Sequence, residues 1–79
     1  MNNKTLTYIH MFKTGNPLTV TVDLSNETPK ITCSREIAQE EDEEYVAWRS
    51  NILAPQILDA CTEEQQMAII TKGFKQSYD

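Results

Sequence analysis

The side chains whose type and spacing could do chemistry are concentrated in one acidic run near the middle of the chain. The run has five consecutive carboxylates: Glu40, Glu41, Asp42, Glu43 and Glu44. General acid–base catalysis needs carboxyl groups in a desolvated cleft with their pKa values driven apart, whereas consecutive surface carboxylates stay solvated. The run therefore favours electrostatic docking on a protein partner with a basic surface, and the structural alternative is a solvated helix start.

Two residues just beyond the run have side chains that protein interfaces use often. Trp48 is the only tryptophan, and Arg49 follows it directly. Trp and Arg are enriched at the residues that contribute most to binding. We expect both to act as anchors beside the acidic run. In the alternative interpretation, Trp48 lies on the core side of its helix with Tyr45, and Arg49 is a solvated cation.

The single histidine and one of the two cysteines form a weaker candidate for catalysis. His10 lies in a predicted strand, and Cys33 could lie two strands away on the same sheet. A nucleophile needs its base within hydrogen-bonding reach. A half-buried sheet histidine and a core cysteine are the simpler interpretation, so we expect the chain not to be an enzyme.

Patterns for metals and cofactors are missing from the sequence. It has no C-x-x-C, no H-x-x-x-H and no calcium-loop spacing. Its two glycines, Gly15 and Gly73, cannot form a dinucleotide-binding or phosphate-binding loop. We therefore expect no metal and no cofactor.

Length and charge restrict the class of protein further. The 79 residues predict one small α+β domain over residues 1–79, whose small core a homodimer could extend. Seven basic against twelve acidic residues give a formal net charge of -5, which disfavours direct binding to nucleic acid or to an anionic membrane. The lack of a long apolar run, of a leader pattern and of a cysteine framework predicts a cytoplasmic protein.

The first half of the chain has the periodicity of strands. Residues 18–24 alternate strictly between apolar and polar side chains, which is typical of a half-buried strand. Residues 5–12 precede it across a turn that contains Gly15, and they form the other half of a β-hairpin. In this first strand Ile9 and Met11 face away from the remaining apolar residues, which predicts a central strand or a face covered by another chain. Residues 30–33 are a candidate third strand.

The second half of the chain has helical patterns. We expect a main helix from about Glu41 to Leu53, limited by Pro55, which could open a new helical turn. Thr62 and Gln65 match a capping box at the start of a second helix. An apolar stripe of Met67, Ile70 and Phe74 is expected to face the core, Gly73 ends the helix, and residues 76–79 are expected to fray.

These patterns predict an α+β fold, in which an antiparallel β-hairpin or three-stranded meander packs against two C-terminal helices in a two-layer sandwich. The predicted function is that of a small acidic regulator or inhibitor that binds a protein partner. One alternative is an inhibitor whose carboxylates mimic the phosphates of a nucleic acid. Others are a structural homo-oligomeric subunit that packs through Ile9 and Met11, and an enzyme or small-ligand binder that uses His10 and Cys33.

Overall fold

The strands form one mixed sheet in the computed structural model, which describes residues 5–78. They are β1 (Thr5–Met11), β2 (Pro17–Asp23), β3 (Lys30–Cys33) and β4 (Lys75–Tyr78). Their order is β1-β2-β3-β4; the first three are antiparallel, and β4 runs parallel to β3. The helices are α1 (Asp42–Trp48), α2 (Ala54–Ala60) and α3 (Glu63–Lys72). The predicted α+β two-layer fold is confirmed, and a fourth strand extends the expected meander.

The turn between β1 and β2 sets the register of the hairpin. Gly15 has a positive φ of 93° and donates its N–H to the Phe12 carbonyl at 2.8 Å. The Phe12 N–H in turn donates to the Asn16 carbonyl at 3.1 Å. Pro17, which has no N–H to donate, begins β2 opposite Met11. The turn thus aligns the alternating residues of β2 with those of β1.

The core lies between one face of the sheet and the helices. Its buried apolar residues are Phe12, Leu18, Val20, Val22, Leu24, Ile31, Cys33, Tyr45, Leu53 and Ile57. The strict alternation in β2 is confirmed, because Leu18, Val20 and Val22 are fully buried. Burying a Val, Leu or Ile side chain contributes about 1.5–3 kcal/mol, so β2 is the main apolar strand of the core.

The main helix does not end before Pro55. A 3-10 turn (Gln39–Glu41), α1, a π-helical segment (Arg49–Leu53) and α2 follow one another without interruption, so residues 39–60 are continuously helical. Proline has no N–H and its ring crowds the carbonyl four residues earlier. The π-helical segment just before Pro55 is wider than an α-helical turn. It leaves room for the proline ring and for the carbonyl that lacks an N–H partner, so the helix continues past Pro55. The expected boundary at Leu53 is therefore wrong, although Ile57 is buried as expected.

Both ends of α3 are as predicted. The Thr62 Oγ1 accepts the Gln65 N–H at 3.2 Å, and the Gln65 Oε1 accepts the Thr62 N–H at 3.0 Å. At the other end, Gly73 has a φ of 75° and donates its N–H to the Ile69 carbonyl at 2.8 Å. The capping box and the terminal glycine thus determine the length of α3.

The apolar stripe predicted for α3 is wrong at Met67 and Ile70, whereas Phe74 packs against the core as expected. Met67 and Ile70 are 63 % and 75 % exposed, whereas Ala68 is buried. The Gln65 Nε2 donates to the carbonyls of Leu24 and Asn26, at 2.8 and 2.9 Å. These two bonds turn the face of α3 that carries Gln65 towards the end of β2. Ala68 is three residues after Gln65 and therefore shares this face, whereas Met67 and Ile70 do not.

The chain after α3 forms a strand where fraying was expected. In β4, Gln76, Ser77 and Tyr78 pair with β3, and the hydroxyls of Ser77 and Thr32 lie 3.4 Å apart. The free edge of β3 offers unpaired backbone groups, which a following segment can satisfy. The fraying expected for residues 76–78 is therefore wrong, and Asp79 lies outside the described residues.

Candidate protein-binding site

The acidic run forms the beginning of the long helix. Glu40 and Glu41 belong to the 3-10 turn, and Asp42, Glu43 and Glu44 form the first turn of α1. Negative side chains are stabilised at a helix N-terminus, because the unpaired N–H groups there carry partial positive charge. This effect offsets part of the repulsion between carboxylates and lets the run be helical rather than a loop.

Glu41 points into the protein and does not belong to the exposed acidic surface. It is only 2 % exposed, and its carboxylate accepts bonds from Arg35 Nη1 at 2.8 Å and Arg35 Nη2 at 3.0 Å. It also accepts the Ala38 N–H at 3.0 Å. The bond from Arg35 is the main cause that lowers the pKa of the Glu41 carboxyl. The expectation that Glu41 docks on a partner is corrected, because its carboxylate has no free side for one.

Glu44 is half-buried and bonded to the first hairpin. Its Oε2 accepts a hydrogen bond from His10 Nε2 at 2.9 Å, and its Oε1 accepts the Lys13 N–H at 3.2 Å. The bond from His10 is the main cause that lowers the pKa of this carboxyl. Glu44 thus connects α1 to β1 and leaves only part of its carboxylate to the surface.

The three remaining carboxylates of the run face solvent. Glu40, Asp42 and Glu43 are exposed, and within residues 5–78 no Lys or Arg lies within ion-pair distance of them. Glu40 and Glu43 line a groove of about 450 Å³, which is completed by Lys13, Glu44 and Ala47. We call Glu40, Asp42 and Glu43 the acidic surface. Its groove carries three carboxylates and one ammonium group, so its lining is net negative.

Trp48 and Arg49 lie beside the acidic surface but are used by the fold. The Trp48 ring is 4.9 Å from the His10 ring and 6.1 Å from the Tyr45 ring, between centroids. The Arg49 guanidinium lies over the Phe74 ring at 5.5 Å, a cation–π contact. Trp48 packs against the core, which corresponds to the alternative interpretation given above. Both residues are half-buried, so a contact of either with a partner stays a prediction.

His10 and Cys33 have separate partners. The ring of His10 bonds Glu44 and meets the Phe12 ring edge-on, with 4.7 Å between centroids. The Cys33 Sγ lies 3.6 Å from the Tyr45 hydroxyl in the core. Burial raises the pKa of the Cys33 thiol and of the Tyr45 hydroxyl. The candidate nucleophile and its candidate base are therefore not brought together, and Cys33 is held as a thiol rather than a reactive thiolate.

Sequence reasoning missed the residues that position the acidic run. Arg35 is six residues before Glu41, so the usual pairing of charges three or four apart in a helix does not detect it. Arg35 Nε also donates to the Pro17 carbonyl at 3.3 Å, and its guanidinium lies 5.6 Å from the Phe12 ring centroid. These contacts join the helix start to the hairpin, and only the fold brings them together.

Three of the seven basic residues lie together at the end of the sheet away from the acidic run. Lys30 and Lys75 are the first residues of β3 and β4, and Lys72 is the last residue of α3. All three line a second cavity of about 450 Å³. This cavity also contains Glu27, and Lys13 and Arg35 lie beside the acidic run, so each end of the sheet carries charges of both signs.

Comparison of the chain with protein-family models, with curated proteins and with solved structures finds no match. None of the helices within residues 5–78 is both long enough and apolar enough to span a membrane. In the same part of the chain, no three His, Cys, Asp or Glu side chains are grouped so that they could hold a metal ion. The geometry of the acidic surface is therefore the basis on which a function can be argued.

Proposed function

We propose that this chain is a small, non-enzymatic regulator or inhibitor that binds a protein partner through its acidic surface. The observation that carries the proposal is the exposure of Glu40, Asp42 and Glu43 at the start of the long helix, where no Lys or Arg of residues 5–78 lies within ion-pair distance of them. A basic patch on the partner would supply the missing charge. The Cys33 thiol is compatible with the cytoplasm, where we place this activity.

Two hydrogen-bonded acids of the run hold the helical segment that carries the acidic surface. Glu41 is fixed by Arg35 and Glu44 by His10, so the carboxylates between and beside them are presented from a fixed helical turn. A preformed surface loses less conformational entropy on binding than a flexible acidic tail does. The buried and half-buried acids of the run therefore support binding by positioning the exposed ones.

The groove beside Glu40 and Glu43 gives the surface a shape as well as a charge. We assign it to a Lys or Arg side chain of the partner, with Trp48 and Arg49 at the margin of the contact. A nucleic-acid mimic would spread its carboxylates over more of the surface. Here the exposed members of the run occupy one turn, which favours a local contact with a basic protein patch.

The experiment is a pull-down from native cell extract with matched charge variants. E40Q/D42N/E43Q removes three charges from the acidic surface. The control, E27Q/E63Q/E64Q, removes three exposed carboxylates elsewhere. We expect a partner that is retained by the native chain and the control and lost by the first variant, and that dissociates as salt rises. A partner retained equally by both variants would refute the proposal, and displacement of the partner by DNA or RNA would identify a mimic.

A further inference from the structure

β1 is an edge strand without the features that usually protect an edge. It is the first strand of the sheet, and no strand of residues 5–78 pairs with its outer side. Natural edge strands are short, charged, bulged or interrupted by proline, because an open edge can pair with another chain. β1 has seven residues, and none of them is Lys, Arg, Asp, Glu or Pro. Of the two alternatives for this strand, the central position is wrong, and among residues 5–78 no strand pairs with its outer edge.

The unpaired backbone groups of β1 can be identified from its register. Met11 lies opposite Pro17, which has no N–H to donate. The next residue, Phe12, forms backbone hydrogen bonds with Asn16 and Gly15 across the turn, so its backbone groups point towards β2. Hydrogen-bonded and non-bonded pairs alternate along an antiparallel ladder. The outward groups therefore belong to Thr5, Thr7, Ile9 and Met11.

The same four residues expose their side chains on the open face of the sheet. Ile9 is 71 % and Met11 60 % exposed, and the strand alternates between exposed and half-buried positions. The other edge of the sheet is different, because β4 has only four residues and begins with Lys75. A strand of another chain would therefore find a longer and less charged edge at β1 than at β4.

From these features we infer that β1 pairs antiparallel with β1 of a second copy of this chain. A two-fold axis at Tyr8 brings Thr7 of one copy opposite Ile9 of the other, and Thr5 opposite Met11. The outward groups of both strands then face each other along the whole of β1, and the two sheets become continuous. This inference is independent of the acidic surface proposed above.

Charge favours a second copy in this antiparallel arrangement. The acidic groove contains Lys13, so the acidic surface lies at the Met11 end of β1. Antiparallel pairing puts the two acidic surfaces at opposite ends of a junction about 20 Å long, whereas parallel pairing would put them side by side. It also brings Lys13 of one copy to the same end as Asp23 of the other, because Asp23 is registered opposite Thr5. Two copies of a chain with a net charge of -5 can therefore meet along an uncharged strand.

The first test is the mass of the full chain in solution by sedimentation velocity, over a roughly hundredfold range of concentration. I9K puts a charge on the open edge, and I70K makes the same change at an exposed position of α3. We expect native chain and I70K to double in mass with concentration and I9K to stay monomeric, all with the same circular dichroism. A native chain that stays monomeric, an I9K variant that still dimerises, an I70K variant that does not, or a mass that grows beyond the dimer would each overturn the inference.

The second test reads the interface directly by amide hydrogen exchange. As dimer forms, the N–H groups of Thr5, Thr7, Ile9 and Met11 should gain protection, while those of Leu6 and Tyr8 are already protected by β2. Fast exchange of the four outward groups in the dimer would rule out β1 as the interface. The variant E40Q/D42N/E43Q should still dimerise, and I9K should still bind the partner, so failure of this inference is distinguishable from failure of the proposed function.

Discussion

The carboxylate of Glu41 accepts two hydrogen bonds from the guanidinium of Arg35, at 2.8 and 3.0 Å, and almost no part of it reaches the surface. Arg35 also donates to the carbonyls of Pro17 and Glu36. One ion pair therefore joins the first turn of the long helix, the segment that precedes it and the start of β2. The acidic run therefore has two roles. Glu41 is buried and stabilises the helix start, and its neighbours Glu40, Asp42 and Glu43 remain at the surface.

The first prediction concerns this pair. R35A should lower the thermal stability more than E41Q, because it leaves a buried carboxylate without its cation, whereas E41Q keeps a side chain that can still hydrogen-bond. E43Q, at an exposed position, should change the free energy of unfolding by no more than about 0.5 kcal/mol. Thermal unfolding followed by circular dichroism measures all three. If R35A and E43Q unfold at the same temperature, the pair does not hold the helix start.

The second prediction is a loss of stability at acid pH. In the folded chain the pKa values of Glu41 and Glu44 lie below the ordinary value of 4.5, so the unfolded chain takes up protons first as the pH falls. Their contribution is complete above pH 4.5 and is lost as the pH falls through the lower folded values. Urea unfolding at a series of pH values measures this loss. The free energy of unfolding of E44Q should depend less on pH in this range, and parallel curves for E44Q and the native chain would contradict the assignment.

The third prediction tests the π-helical segment before Pro55. Leu53 is fully buried and its neighbour Ile52 is exposed. L53A should lower the free energy of unfolding by about 2–5 kcal/mol, because it leaves a cavity in the core. I52A should cost less than about 1 kcal/mol, since about half of the Ile52 side chain is already exposed to solvent. Urea unfolding of the two variants compares them directly, and a reversed order would mean that the helix has a different rotation at this point.

The fourth prediction concerns the start of α3. T62A removes the side-chain acceptor of the capping box and should cost about 1 kcal/mol of unfolding free energy, while T62S should keep most of it. Q65A should cost more than T62A, because Gln65 also donates to the carbonyls of Leu24 and Asn26. Equal unfolding free energies for T62A and Q65A would show that these two bonds do not fix the rotation of α3.

The fifth prediction concerns the buried thiol. Cys33 is fully buried and its pKa is raised, so an aromatic disulfide reagent should not modify it in the folded chain. Cys61 is partly exposed and should react faster. The rates can be followed by absorbance, with C61S to isolate Cys33 and with denaturant to expose it. Rapid reaction of folded C61S would contradict the burial of Cys33 and reopen its candidacy as a nucleophile.

The parts of the fold that sequence predicts well are those governed by neighbours in the chain. Alternation in β2, the capping box of Thr62 and Gln65, and the terminal Gly73 all depend on residues a few positions apart. Such local patterns determine backbone hydrogen bonds directly. The α+β class follows from their order along the chain.

The parts that sequence does not predict depend on distant contacts. Gln65 turns α3 so that Met67 and Ile70 face solvent, because the carbonyls of Leu24 and Asn26 lie within its reach only in the folded chain. In the same way, Arg35 selects Glu41 for burial from five similar acids. A run of consecutive carboxylates does not indicate from its sequence which carboxylate will be buried.

The measurement that tests the central claim most directly is the association rate of the recovered partner with the native chain, E40Q/D42N/E43Q and E27Q/E63Q/E64Q, by surface plasmon resonance over a range of salt. Complementary surface charge acts mainly on the association rate. We predict that the first variant associates roughly tenfold more slowly than the native chain at low salt, and that the control associates like the native chain. Equal association rates for the two variants would contradict the account.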